Sequence, residues 1–447
     1  MIGFLKALTF LLGASFFAYV LFILIPHLTH RKTALGDPAD FQWHFFVPCR
    51  DEAAVIERTV EAARRDFPAV HVWVVDDHSD DDTGRIVEEI ARRDPRVHLV
   101  ARRRPEARTG KGDALNAAYD ALNAFLPADA DRERIIVMVL DADGELSPRA
   151  LAMMASADVF LDPGVGGAQV VVWMKNRHER RPRPGRGWLG NLSGRFLVKL
   201  QDIEFRTIIA AMQSLRARTG TVGLGGNGQF ARLSVLDLIR ASHDRPWHGA
   251  LLEDYELGLH IHLHGYRIAH VGNAHVSQEA LPSFRRFLTQ RTRWAQGNIQ
   301  CVKYVRDAFR SAHVTNVGLL EIGYYLVLPF LQLCGLAAFA VMIVTALLGL
   351  TKLGAGLPGG DRLIWLAVFW IVFSVVPFAV WGFVYRRRCE RISFLGALGW
   401  GLGVSVYVLY MYVVIPRAFW RILTGRSGWL KTRRNAETST GPTALDH

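Results

Sequence analysis

The segment RIIVMVLDADG, residues 134–144, runs from a strongly apolar stretch directly into two acidic residues. Its Ile and Val content is typical of a buried strand, and Gly144 indicates a turn after it. Two unpaired carboxylates at the end of a buried strand would be costly, unless Asp141 and Asp143 share a cation. Hard divalent cations take oxygen ligands and keep phosphate oxygens in their shell, so the segment predicts an Mg²⁺ or Mn²⁺ site at these two residues.

Two further apolar runs precede this segment and indicate the fold class. Residues 45–47 and 72–75 predict short buried strands, and residues 52–65 between them predict a helix. Strand–helix–strand alternation at this spacing favours an α/β fold with a parallel, doubly wound sheet. In such a sheet, functional residues lie just past the carboxyl ends of the strands, which is where the polar motifs of this chain begin.

Two of these motifs suit a nucleotide. Asp76 and Asp77 begin an acidic run after the second strand, and their carboxylates can accept hydrogen bonds from a nucleobase or a ribose. A solvated acidic turn is the alternative. Lys111 stands between Gly110 and Gly112 just before a predicted helix, which suits a diphosphate held by a point charge and backbone N–H groups. The spacing of a Walker loop is absent.

Three more motifs follow along the chain. Four of the six residues 223–228 are glycine, which lets the backbone approach a ligand closely. Glu253 and Asp254 begin a predicted helix, whose N-terminus keeps a carboxylate ionised and makes Asp254 a weak base but a good acceptor for a hydroxyl proton. The QRTRW motif, residues 290–294, places an amide, a guanidinium and an indole on one helix face. A flexible loop, an ordinary N-cap and a membrane-interface helix are the respective alternatives.

Four stretches lack charged residues over membrane-spanning lengths, which require about 20 apolar residues. They are residues 7–30, 322–351, 363–385 and 392–416. These stretches divide the chain into four parts. We expect an N-terminal anchor at residues 1–30, a globular domain at 31–310, membrane helices at 311–420 and a basic, partly disordered tail at 421–447. A multi-pass protein of the cell membrane with a cytosolic globular domain is therefore predicted.

The positive charge lies mainly beside these stretches. The formal net charge is +12, and from Arg386 onward ten Lys and Arg face three Asp and Glu, an excess of seven. Anionic lipid is the expected partner, and no interleaved basic and aromatic stripe indicates nucleic acid. The arginines before and after the fourth stretch both favour the cytosol. Either one stretch is a hairpin or an interfacial segment, the stretch with Pro329 being a candidate, or the positive-inside rule fails here.

In this order, the motifs resemble those of the family-2 inverting glycosyltransferases, in particular the membrane-embedded synthases of cellulose, chitin, hyaluronan and poly-N-acetylglucosamine. Four motifs carry the resemblance: Asp76/Asp77, Asp141/Asp143, Glu253/Asp254 and residues 290–294. It covers roughly residues 45–300 and then the apolar stretches. The glycine-rich loop departs from the Cys-containing segment of cellulose and hyaluronan synthases, and Leu252 stands where many synthases have Thr, so the acceptor and chain length stay open.

The resemblance implies a GT-A fold, a UDP-sugar or similar donor, and Mg²⁺ or Mn²⁺ at Asp141 and Asp143. Asp254 would be the general base. The implied donor-binding residues are Asp76, Asp77, Lys111, Asp141, Gln290, Arg293 and Trp294. The implied acceptor-side residues are Gly226, Asn227, Gly228, Glu253 and Trp294. An in-line displacement on an α-linked donor would then give a β-linked product.

The resemblance points first to a growing polysaccharide as the acceptor. Aromatic residues of the later stretches could line a polymer path, with Tyr324, Tyr325, Trp381 and Tyr407 as candidates. One alternative is a non-processive enzyme that adds one sugar to a lipid, since QxxRW occurs in that group as well. Another is a silent transport or scaffold subunit. A polyprenyl-phosphate sugar transferase is disfavoured, because those enzymes generally lack QxxRW. The oligomeric state is left open.

Overall fold

A computed structural model of the chain describes residues 2–347, 372 and 375–426. Within these residues, eight strands form one sheet in the order β3-β2-β1-β4-β7-β6-β8-β5. The strands are β1 (Gln42–Cys49), β2 (His71–Asp76), β3 (Val97–Ala101), β4 (Ile135–Val139), β5 (Glu145–Leu146), β6 (Val165–Met174), β7 (Gln229–Arg232) and β8 (Arg267–Gln278). The apolar runs predicted as strands fall on β1, β2 and β4.

The sheet is parallel in one half and mixed in the other. Strands β3, β2, β1 and β4 are all parallel, as expected. The expected parallel sheet is extended by antiparallel pairs, because β7 is antiparallel to both β4 and β6, and β5 is antiparallel to β8. The short β7 directly follows the glycine-rich loop, which returns the chain beside the end of β4. This reversal places the loop next to the Asp141 motif.

Helices cover both faces of the sheet. They are α1 (Ile2–Leu28), α2 (Ile56–Asp66), α3 (Thr83–Arg93), α4 (Lys111–Phe125), α5 (Ala150–Met154), α6 (Gly187–Ile203), α7 (Ala210–Thr219), α8 (Leu233–His243), α9 (Glu253–Leu263), α10 (Phe284–Cys301), α11 (Val305–Arg310), α12 (Asn316–Leu347), α13 (Val376–Arg388), α14 (Phe394–Tyr407) and α15 (Met411–Leu423). Side chains of β1 alternate between two buried clusters. Phe45 and Val47 pack with α2 and α3, and Phe46 packs with α4 and α8.

Three helical segments of the described residues are long and apolar enough to cross a membrane. They are Phe10–Leu28, Asn316–Ala338 and Phe394–Leu423, and each overlaps a predicted stretch. Residues 363–371, 373 and 374 of the predicted stretch 363–385 lie outside the described residues, as does the tail from residue 427. Helix α12 continues through Pro329, which does not favour a hairpin in that stretch. A 3₁₀ turn at Val408–Tyr410 separates α14 from α15 in the last stretch.

Helices α13 and α14 pack through glycine. A Cβ atom on Gly382 of α13 would lie 2.0 Å from the carbonyl oxygen of Ala397 and 2.6 Å from the backbone nitrogen of Gly401. A Cβ atom on Gly401 would likewise lie 2.2 Å from the carbonyl oxygen of Ala379. Small residues at such crossings let two helix backbones approach closely. The contact therefore requires glycine at both positions.

Replacing Gly382 with alanine should force the two backbones apart and destabilise the protein by about 1–3 kcal/mol, the usual cost of overpacking. Thermal unfolding of the purified protein in detergent measures this. Gly399→Ala is the matched control, because a Cβ atom there meets nothing within 4 Å. Equal melting temperatures for the two variants would contradict the close packing of α13 and α14.

Candidate active site

The ammonium group of Lys111, the first residue of α4, lies at the centre of the polar loops. Its Nζ donates to Asp141 Oδ1 at 2.7 Å and to the carbonyl oxygen of Gly226 at 2.6 Å. Oε1 of Glu253 is 3.9 Å away. Burial alone would lower the pKa of Lys111, but the charges of Asp141 and Glu253 outweigh burial and raise it. Motifs from three separate segments therefore meet around one cation.

Asp254 lies buried in the first turn of α9, across the glycine-rich loop from Lys111. A Cβ atom on Gly226 would be 3.2 Å from Lys111 Nζ and 3.3 Å from Asp254 Oδ2. Burial, followed by the charge of Glu253, raises the pKa of Asp254 to about 7, although Lys111 lowers it. Burial therefore works against the expectation that the helix N-terminus keeps Asp254 a weak base, because burial favours the neutral carboxyl group. A carboxylate with this pKa suits a general base near neutral pH.

Asp141 and Asp143 follow β4 at the edge of the same site. The backbone N–H of Asp141 donates to Oδ1 of Asn227 at 3.2 Å, and Asp143 Oδ2 accepts the backbone N–H of Glu279 at 2.9 Å. The described residues contain no group of three or more His, Cys, Asp or Glu that could hold a metal. Two carboxylates still fit Mg²⁺, which commonly binds one or two carboxylates and completes its shell with water and substrate phosphates.

Asp76 and Asp77 are buried, unlike residues of a solvated turn. Asp77 Oδ1 accepts hydrogen bonds from the guanidinium of Arg102 and from the backbone N–H of Arg108, the latter at 3.0 Å. Asp76 Oδ1 accepts the backbone N–H of Ser79 at 3.0 Å. These bonds shape the loop after β2 and draw two arginines to it. Contact with a nucleobase or a ribose stays a prediction.

The glycine-rich loop, residues 223–228, contacts both Lys111 and Asp141. Asn227 is buried and, through Oδ1, holds the backbone of Asp141. Gly228 has a positive φ of 75°, and a Cβ atom there would lie 2.6 Å from Val170, so only glycine fits. Acceptor binding by residues 226–228 stays a prediction, since these residues contact Lys111 and Asp141, which are expected to bind the donor.

The QRTRW motif lies within α10, as expected. Gln290, Arg293 and Trp294 are all half-buried. Burial raises the pKa of Glu253, whereas the nearby charges of Lys111 and then Arg293 lower it, which places Arg293 beside the acidic pair of α9. Two predicted site segments, on α9 and α10, are therefore electrostatic neighbours.

The sequence interpretation missed a buried ion pair behind this motif. Arg291 binds Glu204 through two hydrogen bonds, of 3.0 and 2.5 Å, and its guanidinium lies 4.4 Å from the ring of Trp294. Glu204 also accepts the hydroxyl groups of Tyr407, at 2.8 Å, and Tyr410, at 3.2 Å. Arg291 occupies a variable position of the motif and Glu204 lies in no motif, so no pattern could have paired them.

Comparison with known families decides the identity of the chain. Residues 42–297, more than half of the chain, match the family model described as glycosyltransferase like family 2. The chain belongs to glycosyltransferase family 2. The match extends from β1 to the QRTRW helix, so it includes every site segment described above.

Three known proteins illustrate what this family-2 glycosyltransferase is similar to. The Beta-monoglucosyldiacylglycerol synthase of Synechocystis sp. is 29% identical over 258 residues, 57% of this chain and 47% of that protein. The chain thus spans about half the length of that relative. The probable glycosyltransferase YdaM of Bacillus subtilis is 23% identical over 403 residues, 88% of this chain and 87% of that protein. A Pyrobaculum calidifontis mannosyltransferase, solved with GDP-Man and Mn²⁺, shares the fold.

That structure has a TM-score of 0.54 and 18% identity, and the likeness covers 94% of this chain and 99% of that chain. The predicted GT-A fold is therefore confirmed, and the family match confirms the enzyme class. The narrower likeness to polysaccharide synthases is not confirmed, because the first relative named above is a synthase of a glycolipid. The four predicted motifs of this family-2 glycosyltransferase lie within the matched residues, but the match does not identify the acceptor.

Gly226→Ala should lower kcat about tenfold to a hundredfold, because the new methyl group displaces Lys111 Nζ and Asp254 Oδ2, and small misplacements of catalytic groups are costly. Initial rates of nucleotide release measure this. Gly249→Ala is the control, since a Cβ atom there meets nothing within 4 Å. An unchanged rate in Gly226→Ala would show that the packing around this glycine does not matter for catalysis.

Proposed function

We propose that the chain transfers a single sugar from a nucleotide-diphosphate sugar, a UDP-sugar, to a hydroxyl group of a membrane lipid, with inversion at the anomeric carbon. One observation carries this proposal. Lys111, Asp141 and the Glu253/Asp254 pair lie together, and the residue after Asp254 contacts α12, a candidate membrane span. Tyr255, which follows Asp254, packs on Tyr325 of α12 with ring centroids 5.1 Å apart.

Asp254 acts as the general base in this mechanism. Its pKa of about 7 lets the carboxylate accept the proton of the acceptor hydroxyl at neutral pH while the sugar is transferred in line. Lys111 and Arg293 supply positive charge for the departing diphosphate, and Trp294 offers an indole face to a sugar. Positioning by these groups can supply up to about 7–11 kcal/mol of the barrier reduction.

Asp141 and Asp143 would hold the divalent cation, Mg²⁺ or Mn²⁺. When bound, the cation would neutralise charge on the diphosphate. Lys111 is bonded to Asp141, so the ammonium group lies beside the same phosphate position. The three side chains together would place the diphosphate at the carboxyl edge of β4.

A lipid acceptor is favoured over a growing polysaccharide by two observations. The curated relative that is 29% identical is named for a glycolipid product. Three of the four aromatic residues expected to line a polymer path are engaged in contacts within the protein. Trp381 is 1% exposed, Tyr407 is bonded to Glu204, and Tyr325 lies under the guanidinium of Arg216 at 4.2 Å. Polysaccharide synthesis is the second candidate, carried by the four shared motifs.

The test offers the protein in lipid nanodiscs UDP-glucose, UDP-galactose, UDP-N-acetylglucosamine and GDP-mannose in turn, with diacylglycerol as acceptor and Mg²⁺ or Mn²⁺. Mass spectrometry of the lipid product counts the sugars added. We expect one donor to give a lipid with one added sugar. Asp254→Asn should lower the rate about 10²–10⁴-fold, as loss of a general base does.

Asp244→Asn is the matched control, because Asp244 is an exposed carboxylate at a left-handed backbone position that asparagine tolerates. A long polymer in place of a single addition would move the conclusion to the polysaccharide candidate. Transfer by neither wild type nor Asp254→Asn would favour a silent subunit, and equal measurable rates would exclude Asp254 as the base.

We propose further that the catalytic domain, the loop after α13 and the end of α15 share the cytosolic side of the membrane. Glu390 in that loop binds Lys199 at 2.5 Å and Arg177 at 3.1 Å. At the other end, Arg421 donates to Oε1 of Gln296 in α10 at 3.0 Å. Since both ends of the 394–423 segment contact the catalytic domain, these contacts support a hairpin or interfacial segment there, and the positive-inside rule is then satisfied.

Fusion of a green fluorescent protein to the C-terminus should therefore give a fluorescent cell, and fusion of alkaline phosphatase an inactive enzyme. Fusions placed directly after α12 are the control and should give the opposite pair, because α12 crosses the membrane once. An active phosphatase at the C-terminus would mean that the last segment does cross the membrane.

A further inference from the structure

We infer that the first half of α6 and the arginine-rich loop before it form a docking surface for an anionic lipid leaflet. Its residues lie outside the candidate membrane spans and the active site, although Phe196 adjoins α14 of one span. The inference goes beyond the proposed function and does not depend on it, because it concerns how the catalytic domain lies on the bilayer.

The N-terminal half of α6 exposes large apolar side chains on one face. The exposed fractions are 75% for Trp188, 70% for Leu189, 46% for Leu192 and 42% for Phe196. Their spacing of one, four and eight residues places them on one side of the helix. The opposite side, with Leu197 among others, is buried in the domain. A contiguous apolar face of this kind marks an interaction site rather than ordinary surface.

The loop before this face, together with the first two turns of α6, is strongly basic. Residues 175–195 contain seven Lys and Arg and one acidic residue, Glu179. Lys175 and Arg177 are paired with Glu145 and Glu390. In the described part of the chain, the other five form no ion pair; they are Arg180, Arg181, Arg183, Arg186 and Arg195. Five uncompensated positive charges therefore border the apolar face.

The loop and the helix form one surface. The backbone N–H of Arg183 donates to Oδ1 of Asn191 in α6 at 3.0 Å, which folds the loop back along the helix. Guanidinium groups bind phosphate through paired hydrogen bonds, and tryptophan prefers the level of the lipid headgroups. An amphipathic helix with an apolar face and basic flanks lies in the interface plane of a membrane.

Continuity with a membrane-facing helix identifies the occupant as a bilayer rather than a protein. Phe196 stacks on Trp400 of α14 at 5.6 Å. Helix α14 belongs to a segment apolar enough to cross a membrane, and it exposes 76% of Leu395 and 46% of Leu402. The apolar face of α6 thus extends the apolar surface of α14, and the arginines lie at its border, where anionic headgroups would be.

Photo-crosslinking of the full-length chain in proteoliposomes tests this surface. Leu189 is replaced by p-benzoylphenylalanine, and Phe125→p-benzoylphenylalanine is the control, because Phe125 is 49% exposed at the end of α4 among residues of β2 and β3. The bilayers contain phosphatidylcholine alone or phosphatidylcholine with phosphatidylglycerol. We expect lipid adducts at position 189 but not at 125, and about fivefold more adduct per contributing arginine when the anionic lipid is present.

A triple variant separates charge from apolar contact. Arg180→Gln, Arg181→Gln and Arg186→Gln together should reduce the preference for phosphatidylglycerol at position 189, by about fivefold for each contributing arginine removed. Three exposed arginines of α2 and α3 serve as the charge-matched control, replaced as Arg58→Gln, Arg92→Gln and Arg93→Gln, and should leave the preference unchanged.

Three outcomes would overturn the inference. They are the absence of a lipid adduct at position 189, an adduct with a second copy of the chain instead of lipid, and equal yields in both bilayers. None of these readouts requires sugar transfer, so failure here is distinguishable from failure of the proposed function.

Discussion

The half-buried ammonium group of Lys111 is the constraint on which the rest of the site depends. A partly desolvated charge is stabilised when opposite charges and carbonyl oxygens surround it. The fold supplies these from three directions, with Asp141 after β4, the carbonyl of Gly226 before β7 and Glu253 at the start of α9. Electrostatics therefore fixes the mutual position of loops that are distant in sequence, in addition to the packing of the sheet.

The same cation influences the pKa of Asp254. Lys111 and burial act in opposite directions on the pKa of Asp254, and burial prevails, together with the charge of Glu253. The acidic pair at the start of α9 is thus not a pair of equivalent carboxylates. Glu253 is close enough to Lys111 for an ion pair, while Asp254 accepts the backbone N–H of Tyr255 at 2.7 Å. One carboxylate stabilises the cation, and the other is suited to take a proton.

Much of the fold and the outline of the site could be predicted from local patterns. The apolar runs are strands and α9 begins at Glu253, because periodicity and helix-start signals act within a few residues. The direction of β7 could not be predicted, since it depends on the path of the chain through α6 and α7. The pKa of Asp254 depends on burial by distant segments. The pair of Arg291 and Glu204 joins residues 87 positions apart, outside any spacing rule.

A π-helical turn, Glu204–Ile209, joins α6 to α7 without a break, so one long helix packs against different elements on either side of the turn. Such a turn inserts about one extra residue into an α-helix, which shifts the angular phase of everything after it by roughly 100°. Before the turn, residues 197–203 of α6 are all buried, and α6 packs on β6, α13 and α14. After the turn, α7 packs on α1 and β8. The inserted residue thus sets which face of α7 is turned toward the sheet. Deleting one residue in the turn would rotate that face away from the sheet while α6 keeps its position.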